Sequence, residues 1–455
     1  MDVGKRLTEG NVYRNYIMYS VPLILSSVLA NLYSTVDAVI AGKYIGEVAL
    51  GAISATGSVE NILNALFGGF AGGFSVYLSN LFGRRDYKKI KHHTLSTIIF
   101  IAGLAAVIGG LGIVFRNPIL DYLNVDPVLR QDAEIYFIIS MGGSIISYAC
   151  RILAQVLPAM GITSYTLYIA VGSSLLNIAG NILTVTVFNM GVAGLAIATI
   201  FSTLCQLAVY AVLFFLAFRK RAESKTGYRF RFSHVTCAFR YTLPAAAQMV
   251  AFHGVNLVIA PLINGLGAAV TTGNDVGSRV YGLTSLAFFN MTSAISCYTA
   301  QCVGEGNYKI IPRGLRAGFI LNGITLIPGL VVCTVLGEAV VSIFFPDGFA
   351  GDSFEYALRF VQIYMPFVLL IQMVDHVLHA YLRSLGAFTP VFWVSLLGSA
   401  VRIVTIFWLT PTMHIDGVYL SQILSLSADM LATLILFLSR YRTTEHIQKR
   451  TQKLV

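Results

Sequence analysis

The segments "SNLFGRRDYKKI" (residues 79–90) and "AQCVGEGNYKII" (residues 300–311) agree in register. Gly83, Tyr87, Lys88 and Ile90 match Gly304, Tyr308, Lys309 and Ile311 at a constant offset. Each segment is a short polar stretch between two long apolar runs. Near the same offset "YSVP" (19–22) matches "YTLP" (241–244), which aligns Pro22 with Pro244. Gly161 pairs with Gly386, and Gly194 with Gly417, in the same order. Matches in one order along the whole chain read as a duplication.

The composition identifies the solvent in which the two halves fold. Of 455 residues, 56% are hydrophobic and only 11% charged, and the mean hydropathy is +0.74; an ordinary soluble domain is roughly 25% charged. Apolar runs recur that are long enough to cross a bilayer core of about 30 Å as helices. We read spans at 14–42, 50–76, 93–115, 133–157, 164–188, 191–218, 239–265, 273–298, 315–337, 357–383, 390–411 and 415–439. Helices satisfy their own backbone groups in lipid, and these runs are too long and too evenly apolar for barrel strands. The fold class is an all-α polytopic membrane protein. No separate short apolar segment with a cleavage site opens the chain, so no removable signal peptide is expected. The six cysteines (150, 205, 237, 297, 302 and 333) lack metal-ligand spacing and read as mostly buried thiols.

A net charge of +10 would suit a nucleic-acid partner if it formed a patch. It is instead divided among loops on one side: Lys5, Arg6 and Arg14; Arg84, Arg85, Lys88, Lys89 and Lys91; Arg219 to Arg240; Lys309, Arg313, Arg316 and Arg383; and the C-terminal tail. The opposite loops hold Lys43, Arg116, Arg130 and Arg359. By the positive-inside rule both termini are cytoplasmic, and no nucleic-acid partner is expected. Six spans separate equivalent segments, so the two halves run in the same direction about an axis along the membrane normal. Parallel repeats of this kind are an architecture of secondary transporters. The expected organisation is an N-lobe (1–218), a cytoplasmic linker (219–237), a C-lobe (238–440) and a basic tail (441–455). No GxxxxGK[ST] loop for ATP occurs, and the run "GGFAGG" (68–73) inside span two reads as a close helix contact.

Charged and amide side chains within the spans are the candidate functional groups, because a charge in hydrocarbon costs at least a few kcal/mol. Asp37 is the charged residue of "NLYSTVDAVIAG" (31–42). It reads as functional; the alternative is an acid satisfied by Tyr33 or Ser34. Asn177 and Asn181 are four apart and share a helix face; they are also suited to bonding between helices. In "QMVDHVLHA" (372–380), Gln372, Asp375 or His376, and His379 recur at helical spacing, and histidine titrates near neutral pH. The alternative is a self-contained Asp375–His379 pair. With no HEXXH motif, no zinc site is expected. Gln248, His253 and Asn256 add polarity to span seven, Asp275 and Arg279 read as a mutual pair, and Glu60, Arg402 and Asp429 lack legible partners. The 29 Phe and 23 Tyr suit stacking on an organic cation as well as ordinary packing.

Several stretches resemble the multidrug and toxic compound extrusion (MATE) family. "VPLILSSVLANLYSTVDAVIAGKYIG" (21–46) looks like its opening helix, with a bending proline at Pro22 and the aspartate at Asp37. "ILDYLNVDPVLRQDAEIYFIIS" (119–140), "GITSYTLYIAVGSSLLNIAGNIL" (161–183) and "VGEGNYKIIPRGLRAG" (303–318) are similar to family segments. "LPAAAQMVAFHGVNLVIAPLINGLG" (243–267) is most similar to the DinF-like bacterial branch, with Gln248 where the NorM-like branch has an acid. The resemblance implies two six-helix lobes in a bacterial inner membrane. It implies a monomer that exports small organic compounds, often cationic, in exchange for H⁺ or Na⁺, with no other cofactor. It places the N-lobe cation site, for H⁺ or Na⁺, on Asp37, Asn177 and Asn181. Relatives often have aspartate where this chain has Asn181, which leaves Asp37 as the main carrier there.

Two other readings have sequence consequences. A flippase for lipid-linked oligosaccharides from the same wider superfamily would be expected to show a more cationic cavity, and the spans read as holding only two arginines, Arg279 and Arg402. A membrane-embedded enzyme would need a compact catalytic group, and neither HEXXH, a paired acidic motif nor GxSxG occurs. The chain is therefore expected not to be an enzyme.

Overall fold

A computed structural model describes residues 6–123, 125–219, 228–345 and 351–451. Lys5, Lys220, Arg221, Lys225 and Lys453 fall outside the described residues, as do the side chains of Ser34, Lys449 and Arg450. Twelve long helices, and no strand, are found among the described residues. They are α1 (Val12–Ile40), α2 (Glu47–Gly83), α3 (Tyr87–Val114), α4 (Arg130–Leu153), α5 (Ser164–Ile182) and α6 (Gly191–Arg219). The second set is α7 (Phe232–Gly265), α8 (Ala268–Glu305), α9 (Ile311–Thr334), α10 (Met365–Ser384), α11 (Phe388–Met413) and α12 (Ile415–Arg440). π-helical turns continue α1 (Ala41–Ile45) and α5 (Leu183–Val187), and a third (Phe360–Tyr364) leads into α10. Eleven of these helices, taken with their continuations, are long and apolar enough to cross a membrane. The exception is α8, which is long enough but carries Asn274, Asp275, Ser278 and Arg279 along one turn and a half.

The chain forms two compact units, one mainly Val21–Ala246 and the other Leu7–Ser20 with Ala247–Val455. The divisions fall beside Pro22 in α1 and just after Pro244 in α7, the two prolines aligned by the repeat. Proline lacks the N–H that would close its helical turn; the Pro22 carbonyl in turn accepts from Ser26 Oγ at 2.7 Å.

In the first unit, α2 meets the start of α7 through its glycines. A Cβ on Gly69 would lie 2.4 Å from Ala246 Cα, and one on Gly73 would lie 2.5 Å from the Tyr241 carbonyl oxygen. "GGFAGG" is thus a backbone-to-backbone contact, as small residues allow between membrane helices. In the second unit, residues 7–20 lie on α8 and α9. The Leu7 amide donates to Gln301 Oε1 at 3.0 Å and the Tyr16 hydroxyl to the Gly314 carbonyl at 3.2 Å.

The repeat is visible in the backbone as well. Gly161 and Gly386 both take positive φ (77° and 84°), the first after the short turn Val156–Ala159 and the second just past the end of α10, a conformation that favours glycine. Of the six cysteines, Cys150, Cys297, Cys302 and Cys333 are buried, Cys205 is half-buried and Cys237 exposed.

Outside the spans, Asp86 caps α3. Its side chain accepts from the Lys89 amide at 3.0 Å and pairs with Lys89 Nζ at 2.8 Å. Partial burial pushes its carboxyl up, but the Lys89 bonds and charge outweigh this and hold it below the ordinary carboxylate range. Asp86→Ala should destabilise the helix start by about 1 kcal/mol at neutral pH. A depressed native pKa gives stability that is present above the unfolded value and lost as pH falls through the native one. The difference between wild type and variant in thermal melting should therefore shrink below about pH 4.

Candidate functional site

The structure brings Asp37, Asn177 and Asn181 together in the first unit. Asn177 and Asn181 lie on the α5 face turned inward, at 2% and 0% exposure. Asn181 Nδ2 donates to Asp37 Oδ1 at 2.5 Å and also reaches Asn177 Oδ1 at 3.2 Å. Asn177 Nδ2 donates to Thr199 Oγ1 of α6 at 3.2 Å, and that hydroxyl donates to the Leu195 carbonyl. One chain of bonds thus ties α1, α5 and α6. Among the described side chains, the hydrogen-bond partner of Asp37 is Asn181. Asn181 Oδ1 is buried and has no partner among the described residues. An apolar cluster of Ile40, Ala41, Val185 and Leu195 lies about one turn along the same helices from Asp37, Asn181 and Thr199, and the π turns of α1 and α5 follow those residues.

Two further polar contacts lie between α2 and α4. Ser140 Oγ donates to Glu60 at 2.5 Å, and Arg151 Nη2 donates to Asn64 Oδ1 at 3.1 Å. Arg151 corrects the arginine count, since it lies inside the span read as 133–157. Arg151 and Thr199 carry no motif, so sequence spacing gives no signal for them.

In the second unit the polar face of span ten divides. Asp375 and His379 are buried, at 2% and 4% exposure, and turn to α12. His379 Nε2 lies 2.9 Å from Thr433 Oγ1, 3.4 Å from Asp375 Oδ1 and 3.5 Å from Asp429 Oδ1. The pair is therefore not self-contained; a second carboxylate, Asp429, joins it. Gln372 turns to α8 instead, where its Oε1 accepts from the Tyr281 hydroxyl. His376 reaches the Asp375 carboxylate only at a distance, its Nδ1 lying 3.9 Å from Oδ2. Its ring packs on Phe288 and Phe289, and its Nδ1 lies 2.9 Å from the Gln372 carbonyl. Asp375, His379 and Asp429 offer ligand atoms within 4.8 Å of one another, so the trio can share a cation or a proton on His379. Removing the imidazole leaves the buried Asp375 carboxylate facing the half-buried Asp429, at a cost of up to about 3–5 kcal/mol. His379→Leu should therefore lower the melting temperature more than the double variant His379→Leu with Asp429→Asn, a reversal of additivity that a double-mutant cycle reads directly.

The span-seven residues separate. Gln248 Nε2 donates to Ser395 Oγ of α11 at 2.6 Å. Asn256 is exposed and accepts from Arg402 at 3.3 Å, and half-buried His253 packs edge-on to Phe252. Asp275 and Arg279 pair at 3.5 Å, both largely exposed. Two cavities accompany these groups. A groove of about 410 Å³ between α5 and α6 is lined by Tyr165, Tyr168, Leu176, Cys205 and Val209 among others; it holds no charged side chain and none of the Asp37 site. A cavity of about 50 Å³ in the second unit is lined in part by Tyr281, Gln372, Arg402 and Gln422.

Residues 22–183 and 244–408 each match the model of the MatE family. The probable multidrug resistance protein YpnP of Bacillus subtilis (strain 168) is 24% identical over 390 residues, 86% of each chain. The multidrug export protein MepA of Staphylococcus aureus (strain MW2) is 21% identical over 441 residues, 95% of each. A solved outward-facing conformation of a multidrug resistance MATE family transporter of the MOP superfamily superposes with a TM-score of 0.85 over 98% of both chains. At 16% identity that likeness concerns the fold.

Proposed function

The chain belongs to the MatE family, and from that premise we propose that it exports small organic compounds, cationic ones among them, by alternating access in exchange for H⁺ or Na⁺. It is a multi-pass protein of the bacterial cell membrane and a transporter rather than an enzyme. We propose further that both termini are cytoplasmic and that it works as a monomer. The lobes 1–218 and 238–440, joined by 219–237, would then move about the bend at Pro22. Gln248 in span seven supports a place on the DinF-like branch.

The observation that carries the reading is the unpartnered Asn181 Oδ1 beside Asp37. An ionised Asp37 satisfies the Asn181 amide but offers its carboxamide oxygen nothing. A proton on Asp37 supplies the missing donor, and a Na⁺ ion would bind the same oxygen together with the carboxylate. A proton needs only the Asp37 carboxylate and the Asn181 oxygen, whereas Na⁺ would call on further oxygens, and Asn177 Oδ1 already accepts from Asn181, which favours H⁺. Cation binding and substrate binding would then bias α1 in opposite directions. The apolar cluster of Ile40, Val185 and Leu195 nearby would strengthen this charge coupling by lowering the local dielectric.

The test is uptake of a fluorescent organic cation into everted vesicles, driven separately by a proton and a Na⁺ gradient. A rate that follows the proton gradient is expected. If neither gradient moves any organic cation while lipid-linked oligosaccharide is flipped, the flippase reading replaces this one.

A further inference from the structure

Arg402 is the fifteenth of the 26 residues of α11. At about 1.5 Å per residue it lies well inside the apolar length of the helix. A guanidinium at such depth normally faces a carboxylate or a water-filled space. None of the ion pairs among the described residues includes Arg402. Its Nη1 donates to the neutral Asn256 Oδ1 at 3.3 Å, and its Nε is buried without an acceptor. The nearby Tyr281 hydroxyl is bound to Gln372 and supplies no formal charge.

The cavity beside it, about 50 Å³, is bounded by Tyr281, Gln372, Ser399, Arg402, Gln422 and Ser425 among others. An accounting of hydrogens shows what this wall can offer. Tyr281 donates to Gln372 Oε1, Ser399 Oγ to the Ser395 carbonyl at 2.9 Å, and Ser425 Oγ to the Gly398 carbonyl at 2.7 Å. Those three hydroxyl hydrogens are therefore committed. With its oxygen occupied by Tyr281, Gln372 has its NH₂ end to give. The Arg402 Nε–H and the Gln422 carboxamide complete a set of donors, and no carboxylate lines the space. Water fits, since one molecule takes about 30 Å³ of liquid volume, but water leaves the positive charge unbalanced within the apolar length of the helix. A compact anion fills the space, meets the donors and cancels the charge.

We propose that the second unit holds a binding site for a compact monovalent anion, with Arg402 as its charge and Gln372 and Gln422 as its flanking donors. The shared chemistry is that of a halide or of one carboxylate group. The carboxylate source, a substrate bearing such a group, rests on the efflux reading; the halide source does not.

The experiment uses the full chain in lipid nanodiscs, with chloride exchanged for gluconate at constant ionic strength. Thermal melting is expected to rise saturably with chloride and with bromide. Arg402→Gln should weaken that response about tenfold or more, the loss expected with a charge-assisted hydrogen bond. Melting that responds equally to chloride and gluconate, or a chloride response unchanged in Arg402→Gln, overturns the proposal and leaves a cavity holding water only. If Arg402→Gln does not fold, Gln422→Leu decides in its place: a weakened chloride response supports the site and an unchanged one overturns it. Acetate that displaces chloride identifies carboxylate as an accepted ligand. In vesicles, chloride that slows export of a carboxylate-bearing zwitterion but not of a simple organic cation assigns the site to substrate; slowing of neither assigns it to a resident halide. Because the melting assay needs no transport, failure of the efflux reading leaves its result standing.

Discussion

Asp37→Asn is expected to remove gradient-driven export, with initial rates down about 100-fold or more, while the chain folds and still binds substrate. The substitution keeps the shape and an oxygen for the Asn181 amide, so the bond from Asn181 Nδ2, now 2.5 Å, can persist. What it removes is the one titratable group of the α1–α5–α6 chain, whose other members, Asn177, Asn181 and Thr199, are neutral. A loss of that size corresponds to about 2.7 kcal/mol of transition-state stabilisation, modest beside the energy of transferring a charge within hydrocarbon. Everted-vesicle rates together with equilibrium binding of the fluorescent cation make the check. Full gradient-driven rates in the variant would remove Asp37 as the coupling group.

The second large effect is structural. Gly73→Val, and equally Gly69→Val, should leave little folded protein after extraction from the membrane. The added Cβ would enter backbone atoms of α7, at 2.5 Å for Gly73 and 2.4 Å for Gly69, and backbone cannot rotate aside as a side chain can. Overpacking costs about 1–3 kcal/mol where side chains adjust, and here two helices must separate along their length. Gly72 is the internal control, because nothing lies within 4 Å of a Cβ placed there. Gly72→Ala removes an unfavourable helix residue and should be neutral or stabilising by up to about 1 kcal/mol. Melting followed by size-exclusion recovery separates the three. If Gly73→Val melts like Gly72→Ala, the close contact between α2 and α7 is wrong.

The fold was largely legible because the bilayer imposes a length on every span and the duplication repeats its turns. Even the span that falls short in apolarity, α8, was legible as a run at 273–298. Within the site, Asn177 and Asn181 were legible as one face because four residues make about one helical turn. Their bond to Asp37 crosses 144 positions and came only through the family resemblance. The polar stripe of α10 shows the limit most clearly. Gln372, Asp375, His376 and His379 all fall within a broad arc, and periodicity cannot say which neighbour each will meet. That choice belongs to residues far along the chain: Tyr281 takes Gln372, Phe288 and Phe289 take His376, and Asp429 with Thr433 takes the Asp375–His379 pair. Arg151 and Thr199 escaped for the same reason, since their partners Asn64 and Asn177 sit on other helices.

The π turns at Ala41–Ile45 and Leu183–Val187 give the Asp37 site a property that a regular helix lacks. Each turn holds one residue more than the α-helical turns around it. Moving that surplus residue one turn toward the N-terminus would rotate the intervening side chains by about 100°, the angle between successive residues in a helix. Asp37 stands four positions before the first π turn, so such a step would swing its carboxylate off Asn181 while α1 stays continuous. On the proposed function the helix thereby has a gear: the Asp37 carboxylate can turn about the axis with no segment unfolding in the lipid.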